Sequence, residues 1–201
     1  MLKDSMKHYL SQALEEKKDS QISLFKEEVD YIERNQLMEE GNINLTESKS
    51  NSRFLEAYVE RCNKETEEVI AEEEATFLDH PLDYLQKHKN EFIYLESKWF
   101  ELVGVDAVSL EVDDVFDTYS VLLGLKLQKK FQSVLKEQLS EQLHREEASF
   151  SLMFNQNDGL WDLNFALNYV DGFQENLSIG EAYQLVYGFI FTLLEAVEEN
   201  Q

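Results

Sequence analysis

Polar and apolar positions alternate with two different periods along this chain, and the change of period divides it. Over the first ninety residues the apolar positions recur at helical spacing. Leu2, Met6, Tyr9, Leu10, Ala13 and Leu14 share one helical face, which predicts an amphipathic first helix. Asp19 or Ser20 is placed to cap a second, whose stripe runs Ile22, Phe25, Val29 and Ile32 and which should end at Gly41. Residues 42–52 read NINLTESKSNS, a polar stretch without periodicity, and are expected to form a loop or linker. Phe54, Leu55, Tyr58, Val59, Cys62, Val69, Ile70 and Phe77 then predict a long helix with a glutamate-rich outer face. Pro81 stands in the first turn of a further short helix, PLDYLQKHKN.

From Glu91 the pattern turns aromatic and β-branched. FIYL and WFELVGV are expected to be strands. Between Val112 and Leu143 a helical seam returns through Phe116, Tyr119, Leu123, Leu127, Phe131, Val134, Leu135, Leu139 and Leu143, with Gly124 placed to allow a kink. Strict alternation resumes on both sides of NQNDG: Phe150, Leu152 and Phe154 before it, then Trp161, Leu163, Phe165, Leu167 and Tyr169 after it. That arrangement predicts a β-hairpin near residues 148–170. Ser178 and Glu181 form a capping box that opens a last helix, apolar around most of its circumference and therefore expected in the core. The fold class expected is α+β and mainly helical: a small antiparallel sheet packed by long helices, with a helical section over 1–90 and an α+β section over 91–201 behaving as one cooperative domain.

Charge changes what such a fold can bind. Eighteen basic against 41 acidic residues give a net charge of −23. That surface repels nucleic-acid phosphates and anionic headgroups, so nucleic acid and membrane are not expected partners, whereas a basic protein is. The plainer consequence of such charge is solubility. Cys62 is the only cysteine, which excludes an internal disulfide and a cysteine-based zinc site. The N-terminal stretch lacks the apolar core and small-residue cleavage site of a signal peptide, and no run approaches the ~18 consecutive apolar residues of a membrane span. The expected location is cytoplasmic.

Candidate chemistry is sparse. Asp113, Asp114 and Asp117 in DDVFD match the DDxxD spacing by which isoprenoid synthases hold diphosphate through magnesium. Asp113 and Asp117 would lie one helical turn apart and share a hard cation, Mg2+ or Mn2+. The plainer reading makes them helix-capping acids, and the second acidic motif and basic residues of those synthases are missing. Glu141 and His144 spell ExxH, half of a di-iron pattern whose other half is absent. Glu65, Glu67, Glu68, Glu72, Glu73 and Glu74 read as a solvated helix face or a dock for a basic partner. Asp162, Asn164 and Asn168 would line one face of a strand.

Three stretches, WFELVGVDAVSLEVDDVF, SFSLMF followed by WDLNF, and SIGEAYQLVYGF, together resemble a family of short acidic proteins from spore-forming Gram-positive bacteria. Members are sometimes labelled branched-chain amino acid aminotransferase. This chain lacks the phosphate cup near a buried lysine that pyridoxal-phosphate chemistry needs, so its residues do not support that activity. Two functions follow as expectations. The first is a non-enzymatic protein that binds a basic partner, in a regulatory or toxin-neutralising role. The alternative is a small metal-dependent enzyme using Asp113, Asp114 and Asp117. The apolar last helix also admits a homo-oligomer.

Overall fold

Seven antiparallel strands, drawn from both sides of residue 90, form the sheet on which the rest of the chain is arranged. The structure, a computed structural model, describes residues 1–16, 21–38, 44–143 and 150–200. In chain order the elements are α1 (Leu2–Glu16), β1 (Gln21–Leu24), α2 (Lys26–Arg34), β2 (Asn44–Glu47), β3 (Tyr58–Asn63), β4 (Val69–Glu73), α3 (Tyr84–Lys87), β5 (Glu91–Glu96), α4 (Lys98–Leu102), β6 (Val105–Val112), β7 (Tyr119–Leu125), α5 (Gln132–Gln142), β8 (Phe150–Asn155), β9 (Leu160–Ala166) and α6 (Ile179–Glu199). The sheet order is β4-β3-β5-β6-β7-β9-β8, and β1 and β2 form a separate parallel pair.

The mainly helical fold with a small sheet is therefore corrected to an α+β fold built on a large sheet. The helix expected across Phe54–Phe77 is the β3–β4 hairpin. Val59 and Cys62, three apart, look like one helical face but are buried on opposite sides of the sheet. Val59 faces the helices opposite Leu95, while Cys62 lies on the other side between Val69 and Phe92. The helical seam after Val112 is likewise β7 up to Leu125. Tyr119, Leu123 and Leu127 are spaced by four, a period that fits strand alternation as well as a helix. Gly124 packs beside Leu160 of the neighbouring strand instead of kinking a helix. Conversely, the strand expected from Trp99 begins as the one-turn α4, because the Ser97 hydroxyl accepts the Trp99 N–H at 3.3 Å and caps it. Ile22 belongs to β1 instead of a helix, and part of the polar stretch 42–52 is β2. Asp19, Ser20 and Gly41 lie outside the described residues.

The hairpin expected near 148–170 is β8–β9, and the capping box opens α6 as expected, with Ser178 Oγ accepting from Glu181 N at 3.1 Å. Side chains on one face of the sheet make a continuous apolar row, Val59–Leu95–Val108–Leu123–Leu163–Leu152, crossing six strands. α6 lies against this face. Phe189 meets Phe165 at 4.7 Å between ring centroids, and the Tyr183 hydroxyl donates to the carbonyl of Ile93 at 2.8 Å. α6 is buried on its other sides as well, by α5 and α2, so its apolar circumference is consumed inside the fold. Among the described residues no helix is long and apolar enough to cross a membrane.

Arg53 and Glu28 are charged groups buried in this helical layer. Arg53 donates to Glu28 at 2.6 Å and to Glu27 at 2.8 Å, and its guanidinium lies between the rings of Phe25 and Tyr187, 4.0 and 3.9 Å from their centroids. Glu28, fully buried, also accepts from the Tyr187 hydroxyl and from Phe25 N. Every polar atom of this cluster that is out of water therefore has a partner, which makes it a clasp holding α2 and the 50s segment to α6.

Candidate functional site

DDVFD is the turn of the β6–β7 hairpin. Asp113 Oδ1 accepts the N–H groups of Val115 and Phe116 at 2.8 and 2.9 Å, its carbonyl accepts Asp117 N at 2.9 Å, and Asp117 adopts a left-handed φ of 56°. Those two N–H donors, Phe116 first, hold the Asp113 carboxyl below its ordinary range. The same turn recurs twice. Asn63 caps Glu65 and Thr66 with Glu67 left-handed, and Asn155 caps Asn157 and Asp158 with Gly159 left-handed. The three aspartates of DDVFD are thus drawn apart: Asp113 into the turn, Asp114 to Lys64 at 3.3 Å and Asp117 to Lys89 at 2.6 Å. Among the described residues no group of three or more His, Cys, Asp or Glu side chains is placed to hold a metal ion. His144 lies outside the described residues.

This geometry makes a direct prediction. Asp113→Ala removes the turn's side-chain acceptor and should cost about 1 kcal/mol, as losing a cap does. Asp113→Asn, which reproduces the residue at 63 and 155, should stay near wild type. Urea denaturation with and without magnesium checks both. A magnesium-dependent gain in wild type that Asp113→Asn abolishes would instead indicate a metal role.

The acidic run from Glu65 to Glu74 wraps the β3–β4 hairpin. Strand alternation sends Glu73 toward the helices, where it accepts from Arg61 at 2.6 Å, and leaves Glu72 on the opposite face. That opposite face is the notable surface of the molecule, because no described element packs over it. Two adjacent rows of side chains cross it: Glu60–Tyr94–Ser109–Leu122–Asn164–Ser151 and Cys62–Phe92–Glu111–Ser120–Ala166. Asp162 and Asn164 share this face as the sequence suggested. Asn168 does not; it accepts Tyr119 N at 2.7 Å from a turn beyond β9.

A hollow of about 460 Å³ lies at the β3–β5–β6 end of this face, lined in part by Glu60, Cys62, Phe92, Tyr94, Glu111 and Leu122. Phe92, Tyr94 and Leu122 there are half-buried with no cover from another described element. Glu60 stands directly opposite Glu72 on β4, a like-charge pairing that destabilises a sheet. The Tyr58 hydroxyl donates to Glu60 and is pushed up to about 12, first by that hydrogen bond. Burial raises the Glu111 carboxyl above its ordinary value, although the Lys64 ammonium at 3.5 Å opposes the shift. The Cys62 thiol is also raised, first by burial and then by Glu60, which keeps it in its unreactive protonated form. In the β6–β7 turn, whose Asp114 meets Lys64 at the rim of the hollow, Val115 and Phe116 are 82% and 72% exposed.

No single stretch of sequence points to this face, because its members come from six strands whose pairing order only the fold fixes. No family model, curated protein or solved structure matches the chain.

Proposed function

We propose that this protein acts by binding, not by catalysis, and that its ligand is a basic partner protein seated on the uncovered face of the sheet. The observation that carries this reading is the composition of that face. Half-buried Phe92, Tyr94 and Leu122 stand among Glu60, Glu72, Glu96 and Glu111 on a chain of net charge −23. Apolar groups supply the area that binding buries, and the carboxylates select positive partners and speed their arrival. A cytoplasmic regulatory or toxin-neutralising role is consistent with such a surface. Self-association through the free edge at β4 is disfavoured, since antiparallel pairing of two copies about Ile70 sets Glu68 against Glu72 and Glu67 against Glu73.

Partners recovered on the immobilised protein at low salt should be basic and should elute as ionic strength rises toward a Debye length of about 8 Å. Leu122→Arg, which plants a cation in the middle of the face, should abolish their retention. Acidic partners, or retention indifferent to both salt and Leu122→Arg, would rule the reading out.

A further inference from the structure

Within the hollow on this face, recognition reduces to one side chain. We propose that the space between Glu60 and Glu111, floored by Phe92 and walled by Tyr94 and Leu122, is the anchor site for an arginine of the partner polypeptide. The inference rests on the binding function proposed above and specifies the residue that the face reads.

Three features of the hollow select a guanidinium. Glu60 and Glu111 lie on β3 and β6 with β5 between them, so their strands are roughly 10 Å apart at ordinary strand spacing. A planar group with donors on several edges can donate to both carboxylates from opposite sides, which a compact ammonium cannot do as well. The rings of Phe92 and Tyr94 sit side by side along β5 and offer stacking surface to the guanidinium, while Leu122 and Val69 offer contact to its methylene stem.

The carboxylates also lack a sufficient cation of their own. Glu60 is held by the Tyr58 hydroxyl and the Cys62 thiol and faces Glu72, and none of these neutralises it. Among the described residues, Lys64 is the one basic residue lining the hollow. Its ammonium donates to the Val112 carbonyl at 2.6 Å and to Asp114 at 3.3 Å, leaving Glu111 only the 3.5 Å contact. An incoming guanidinium would relieve the Glu60–Glu72 repulsion and complete the partial neutralisation of Glu111.

Short blocked peptides that alternate valine with arginine, with lysine or with citrulline test this on the full chain by amide chemical-shift titration. The arginine series should bind about tenfold more tightly than the lysine series, citrulline should not bind, and the shifts should centre on Phe92, Tyr94 and Glu111. Glu60→Gln with Glu111→Gln should erase the arginine preference, while Glu56→Gln, away from the hollow, should leave it intact. Equal affinity for arginine and lysine peptides at the uncovered face would overturn the arginine site and leave the broader binding function standing. An arginine preference unaffected by the double variant would do the same. Failure of every basic peptide to perturb that face would overturn both.

Discussion

Replacing Arg53 with methionine is expected to destabilise the protein by about 3–5 kcal/mol, the usual cost of removing one partner from a buried ion pair. The reason lies in what is left behind. Glu28 is fully buried, and without Arg53 its charge is held only by the Tyr187 hydroxyl and the Phe25 N–H. The guanidinium also fills the gap between the Phe25 and Tyr187 rings, so the loss includes stacking as well as charge. Exchanging both members, Arg53→Met with Glu28→Leu, removes the stranded charge and should recover most of the loss. Urea denaturation of the single and paired variants checks this. If the single change cost no more than the paired one, the clasp would contribute packing alone.

The second large effect is expected at Trp161. Its indole is 1% exposed, meets Phe154 edge-on at 4.9 Å and donates from Nε1 to the Leu127 carbonyl at 3.0 Å. Trp161→Ala opens a cavity between β9 and the chain leading into α5 and should cost about 3–5 kcal/mol. Trp161→Phe keeps most of the apolar volume but leaves the Leu127 carbonyl without its donor, for a loss of about 1–3 kcal/mol. The two losses, read from the same denaturation experiment, should therefore be ordered. Equal losses would mean that the hydrogen bond, and not the volume, dominates at this position.

The elements that could be read from sequence were those with two agreeing local signals. The β8–β9 hairpin has period-two alternation on both sides of an Asn/Asp-Gly turn, and α6 has a capping box before an unbroken apolar run. The β3–β4 hairpin was hidden because Val59 and Cys62 are buried on opposite faces while sitting at helical spacing. In β7 the every-fourth spacing of Tyr119 and Leu123 satisfied both periods at once. A signal for the missed hairpins does exist in the chain. Asn63, Asp113 and Asn155 each stand four residues before a left-handed residue, but only at Gly159 is that residue a glycine. The candidate face was less accessible still. Alternation tells which residues of one strand lie together, whereas the meeting of Glu60, Tyr94, Ser109 and Leu122 depends on strand order and on which side the helices cover.

The position of α6 in the chain has a consequence during biosynthesis. It follows all seven strands, yet it covers the apolar row they share. Roughly a hundred residues separate the start of β5 from the end of α6, so at ribosomal rates of about 5–20 residues per second β5 waits about 5–20 s for its cover, and the later strands less. Val108, Leu123 and Leu163 are each made before the helix that covers them, so from their synthesis until α6 follows the nascent strands present this apolar row to water, the kind of exposure that chaperones shield.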